Sequence, residues 1–152
     1  MAKKMVVASL FKRFVAFFVD ITLLSFAVSM PFEKFVNLPS NIGDAISYLE
    51  TNPQIYLKLI IVTSLMSILT ILYFSIMEFY TKQTIGKMLM GIFVVDIENK
   101  KSVKFRRYLI SNLSMFSDFI FLLDSIYILF NSDKQRFLEK LTRLKQVQNE
   151  KK

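Results

Sequence analysis

The run from 13 to 30, RFVAFFVDITLLSFAVSM, is long and apolar enough to cross a membrane, yet it carries a carboxylate, Asp20. A charge in hydrocarbon costs at least about 2.5 kcal/mol, so such a residue faces a bundle interior, a wet cavity or a partner. Another part of the chain must therefore cover Asp20. Lys12 and Arg13 open the run. On a helix Arg13 and Asp20 share one face, with Ala16 between them. Two sources of cover follow: Arg13 itself, or Asn112 and Arg107 from a later segment. A cleaved leader is the competing reading, since Ala27-Val28-Ser29 resembles a cleavage site. The length of the run and the acid inside it favour a retained first span.

The chain of 152 residues is one domain's worth and is 53% hydrophobic, too apolar for an ordinary soluble domain that must also cover its surface. It has no Cys and no His, which removes disulfides, thiolate metal sites and the usual general base. No cofactor and no metal are implied, and the chain is expected not to be an enzyme. The net charge is +8, with the cations lying between apolar segments and in the tails. That arrangement fits cytosolic loops touching anionic lipid better than nucleic-acid binding, because no stacking platform or groove-reading motif accompanies it.

Residues 1–12 read as a cytosolic lead-in, with an interfacial helix as one form. The stretch 31–54 is rich in turn residues and weakly acidic, an outer loop with a short helix near 43–49. The second span is 55–80. Within it Thr63, Ser67 and Thr70 share one face, with Glu78 two turns further on; they serve helix packing or line a polar path opposite Asp20. Residues 81–107 are basic and cytosolic by the positive-inside bias, with a small β-hairpin expected from 92–97, a turn at 98–101 and 102–105. Thr84-Ile85-Gly86-Lys87 lacks the first glycine and the ending of a phosphate loop.

Residues 108–130 form a third apolar segment interrupted by Asp118 and Asp124. Arg107, Ser111, Ser114, Asp118 and Ser125 make one helical stripe. Either the segment breaks near 117–124 and re-enters, or it crosses once and puts a basic tail outside. The charge bias favours re-entry, with N- and C-termini both cytosolic. Residues 131–145 read as a basic amphipathic helix capped by Asn131, Ser132 or Asp133, with Phe137, Leu138, Leu141 and Leu144 on one face, and 146–152 as a frayed end. The expected fold is mainly α: a small polytopic helical membrane protein with two transmembrane helices, a third broken or re-entrant helical segment and a short cytosolic β-hairpin.

At this point the chain resembles the RDD family of integral membrane proteins, named for one arginine and two aspartates. Arg13 and Asp20, in FKRFVAFFVD, match the family's arginine at the start of span one and aspartate in its middle. Thr84, Gly86, Lys87 and Gly91 match its T-P-G-K and following glycine, with Ile85 in place of the proline. Val94-Val95-Asp96 matches its V-V-D. Its R-N-x(5)-D falls on Ser111, Asn112 and Asp118, which makes Asp118 the candidate second aspartate, and its Q-R-L-H-D falls on Gln135-Arg136-Phe137-Leu138-Glu139. The resemblance implies a membrane domain in a prokaryotic plasma membrane. Some members resemble cation/proton antiporters, and others serve as membrane modules.

Three functions follow. In the first, Asp20 and Asp118, with Glu78 and Asp124 further along and Asn112 and Glu139 as motif positions, exchange Na⁺ or K⁺ for protons. A homo-oligomer would then be needed to enclose the path. In the second, the chain is a non-transporting membrane module for assembly, scaffolding or lipid contact. In the third, Asp20 and Asp118 form a carboxylate dyad of an intramembrane enzyme.

Overall fold

A computed structural model of the chain describes residues 5–29, 39–97 and 103–149. The elements in order are β1 (Met5–Val7), α1 (Leu10–Leu24) continued by a π turn (Ser25–Ser29), α2 (Ile42–Thr51), α3 (Pro53–Thr81), α4 (Ile85–Met90), β2 (Ile92–Asp96), α5 (Phe105–Asn112) continued by a 3-10 turn (Leu113–Phe116), α6 (Asp118–Phe130), α7 (Phe137–Thr142) and β3 (Leu144–Asn149).

The distribution of side chains is inverted relative to a soluble domain. On α1 the buried residues are Arg13, Ala16, Asp20 and Leu24, whereas Phe11, Phe14 and Phe18 point outward. Among the described residues, buried polar and charged side chains outnumber buried apolar ones. Exposed apolar faces over a polar interior are what hydrocarbon, not water, stabilises.

Helix α3 is the one described helix that is by itself long and apolar enough to cross a membrane. Its 29 residues span about 44 Å at 1.5 Å per residue. Its most apolar window has a mean hydropathy of 2.3 and is only 17% buried, which distinguishes it from the core helix of a soluble protein. Proline at the first turn starts it, and Lys82 in the left-handed region (φ 62°) ends it. Its buried residues, Ile71, Phe74, Ser75 and Glu78, all lie in its second half. The Thr63 and Ser67 hydroxyls bond back to the carbonyls of Leu59 and Thr63 on the same helix.

The third apolar segment is broken as expected. Residues Phe105–Phe116 and Asp118–Phe130 meet at 112°. Ser117 takes an extended conformation (φ −138°, ψ 131°), which ends one helix and starts the next.

The sheet differs from the expected hairpin. The turn at 98–101 lies outside the described residues, and β2 pairs with β3, antiparallel, through Ile92↔Gln148, Val94↔Gln146 and Asp96↔Leu144. β1 pairs with the other edge of β3, giving the order β1-β3-β2. The lead-in thus holds a strand at Met5–Val7, and the described part of the end expected to fray, 146–149, belongs to the central strand. The polar sequence LKQVQN alone does not favour a strand. It is held because both its edges are paired and because Leu144 and Val147 are buried. The tail helix is correspondingly short. Asn131 accepts from the Asp133 amide and donates to the Gln135 carbonyl, forming a turn, so the helix starts only at Phe137.

This topology gathers both described ends of the chain and the middle segment 92–96 at one side of the molecule. Tyr108, Val94, Val103 and Leu144 pack there as a small apolar core, with Phe79 against it.

Candidate functional site

Asp20 is fully buried and gripped by donors from two other elements. Its Oδ1 accepts from the Tyr73 hydroxyl (2.8 Å) and the Gly86 amide (2.8 Å), and its Oδ2 accepts from the Thr84 hydroxyl (2.5 Å). Hydrogen bonds to a charged acceptor stabilise by about 1.5–3 kcal/mol each. Thr84 is also the N-cap of α4 and accepts from the Lys87 amide (3.3 Å). The acid thus ties α4 onto the middle of α1. Glycine is required at 86 because a Cβ there would sit 2.8 Å from the Ala16 carbonyl carbon and 2.9 Å from Asp20 Oδ2. Gly91, at φ +66°, closes α4 in the left-handed region before β2 begins.

One turn further on, Lys87 forms a buried ion pair with Glu78, and Asn112 donates to Glu78 Oε2 (2.9 Å) and to the Tyr108 carbonyl (3.1 Å). This links α4, α3 and α5. Neither Asn112 nor Arg107 covers Asp20. Arg107 instead makes a two-point contact with Asp96 (2.6 and 3.1 Å) and donates to the Thr142 carbonyl (2.8 Å).

Arg13 does not pair with Asp20. Its Nη2 donates to the Gln146 carbonyl (3.0 Å), and its Nη1 faces Glu139 Oε2 (3.6 Å). Glu139 also receives Arg136 Nε (3.0 Å) and Gln146 Nε2 (2.6 Å) on Oε1, and the Arg136 amide (3.3 Å) on Oε2, the latter as the N3 residue of a capping box that starts α7. Burial pushes the Glu139 carboxyl up, but Arg136, then Arg13 and Lys87, outweigh it and hold it below the ordinary value. The Arg136 guanidinium is raised, because Glu139 and Asp124 outweigh its own desolvation. Asp124 completes the cluster. It accepts from the Ser114 hydroxyl (2.9 Å) and the Leu138 amide (3.0 Å) and lies 3.8 Å from Arg136.

Asp118, by contrast, is exposed at the first turn of α6. The expected stripe continued one helix through Asp118. The extended Ser117 resets the helical phase, so Ser111 and Ser114 stay inside while Asp118 turns out and Asp124 turns in. No dyad of Asp20 and Asp118 forms.

The sequence pattern of the RDD family matches residues 7–143, most of the chain. The chain belongs to the RDD family. No curated protein and no solved structure matches it. Within this RDD domain the buried carboxylate that meets the arginine of the first helix is Glu139, in the Gln135–Glu139 motif, not Asp118. The resemblance made Asp118 the candidate second aspartate; beyond the break at Ser117 that residue is exposed, and Arg13, expected to pair with Asp20, meets Glu139. Ser114, from the polar stripe, and Arg136, from the Gln135–Glu139 motif, join the site; Tyr73 and Gln146 are further members that sequence reasoning missed. A phenol three residues after Thr70 in an apolar span was the one visible signal for Tyr73. Gln146 had none, since its place depends on β3 forming.

Proposed function

We propose that this RDD domain is a non-transporting, non-catalytic membrane module that contacts lipid. In this reading α1 and α3 cross the bilayer, α5 and α6 enter and return, and the sheet faces the cytosol with both termini. The observation that carries it is the closure of Asp20: three donors from α3 and the start of α4 hold both its oxygens, and it is fully buried. A carboxylate that alternates between proton and cation must release donors in each cycle. Here release would detach α4 from α1, since Thr84 and Gly86 hold the acid from the start of α4. Asp118, the second acid of the exchange scheme, is exposed and makes none of these contacts. The pairing of β1 with β3 supports the same-sided termini and a returning third segment, because both strands share one sheet. The ties on Asp20 also support retention of α1. With no path to enclose, a homo-oligomer is not required.

The test is reconstitution of the full chain in proteoliposomes carrying an internal pH dye. A Na⁺ or K⁺ gradient is expected to move no more protons than empty vesicles. A cation-dependent flux that disappears in Asp20→Asn while the protein stays folded would refute the module and restore exchange. In cells, a C-terminal tag is expected to be accessible only from the cytosolic side.

A further inference from the structure

Beside the Arg136–Glu139 cluster lies a cavity of about 420 Å³, within the roughly 300–1,000 Å³ of ligand pockets. Its walls are apolar, from Phe14 and Phe17 of α1 and Leu122, Ile126 and Leu129 of α6. Phe14, Leu122 and Leu129 are themselves more than half exposed, so the cavity opens sideways onto the apolar surface that faces hydrocarbon in the membrane reading. Its polar end is made by Arg13, Lys87, Arg136, Glu139 and Gln146.

That polar end is unevenly satisfied. Lys87 is held by Glu78, and Arg136 by Glu139 and Asp124. Arg13 is only 9% exposed, yet its Nε and Nη1 have no hydrogen-bond partner, and Glu139, the nearest carboxylate, stands 3.6 Å away with its oxygens already accepting from Arg136 and Gln146. The Gln146 Oε1 is likewise a buried acceptor without a donor. A buried guanidinium with two unmet donors costs stability unless an acceptor arrives. An acidic oxygen group supplies that acceptor, and a hydroxyl on the same group would supply Gln146 with a donor.

Resting on the membrane reading above, we propose that this cavity binds one anionic bilayer lipid, its acyl chain between α1 and α6 and its acidic headgroup on Arg13. The lateral opening admits a lipid from the bilayer without passage through water. The apolar walls distinguish a lipid from a free phosphate, which would leave them empty.

The test is native mass spectrometry of the full chain in neutral detergent. The probes are dioleoylphosphatidylglycerol, dioleoylphosphatidylcholine and inorganic phosphate. We expect phosphatidylglycerol to be retained at least tenfold better than phosphatidylcholine, with no retained phosphate. Arg13→Gln is expected to reduce that preference to about twofold or less. Because Arg13 also bonds the Gln146 carbonyl, a second variant leaves the ionic cluster untouched: Ser125→Trp, at the cavity wall on α6, is expected to abolish retention by filling the space. Equal retention of the two lipids, retention unchanged in Ser125→Trp, or phosphate bound as well as the lipid would each overturn the proposal. Membrane association is read separately by carbonate extraction, so a protein that stays in membranes without lipid preference refutes the lipid site alone, and one that washes off refutes the membrane reading.

Discussion

The two buried acid sites of this domain are built on opposite principles. Around Asp20 one charge is surrounded by neutral donors, a hydroxyl, a phenol and an amide, and every one of them reaches it. Around Glu139 two arginines and an amide side chain converge, and part of Arg13 remains without a partner. The first site is closed and does the work of a helix clamp. The second is ionic, borders a cavity and has donors to spare. A buried acid in a membrane chain is therefore not one kind of feature: what it does depends on whether its donors are neutral groups or other charges.

The difference can be tested by removing each part. Glu139→Gln is expected to be the most damaging change, about 3–5 kcal/mol, because it leaves two guanidinium groups buried with too little negative charge. Unfolding by SDS titration measures it. The pH dependence follows from the sign of the shift. Glu139 titrates below its ordinary value of 4.5 when folded, so its contribution is complete above that value and is lost as pH falls through the folded-state value. The stability gap between the native chain and Glu139→Gln should therefore narrow on acidification below pH 4.5. A constant gap would mean that the ionic description of this site is wrong.

Gly86→Ala tests the other site by sterics alone. The added carbon meets the backbone of Ala16, and a loss of about 1–3 kcal/mol is expected from overpacking. The same titration reads it, and a neutral result would show that α4 is not pressed against α1. Tyr73→Phe removes one of three donors and keeps the ring, for an expected loss of about 1.5 kcal/mol. Smallest of all, Asp118→Asn should stay within about 0.5 kcal/mol in the same assay, since the residue is exposed. A loss approaching that of Glu139→Gln would show that Asp118 belongs to the interior after all.

Much of the outer layer was legible from residue order. The span read at 55–80, a helix over Pro53–Thr81 in the structure, follows from unbroken apolar length, and the break in the third segment from Asp118, Asp124 and the serines between apolar residues. That Asp20 must be covered also followed, because hydrocarbon penalises any other outcome. The identities of the covering groups were not legible. On Asp20 they come from residues distant in the chain, Tyr73, Thr84 and Gly86; on Glu139 a distant Arg13 joins Arg136, three residues away, and Gln146, whose place depends on β3.

The sequence by itself determined which segments are apolar, where a charge is buried and which family the chain resembles, since these depend on local composition and spacing. Only the tertiary structure decided that β3 is the middle strand, that Arg13 meets Glu139 and that Asp124 rather than Asp118 turns inward. Strand pairing has no local signature in a polar segment, and one extended residue, Ser117, rotates everything after it by an angle that helical periodicity cannot supply.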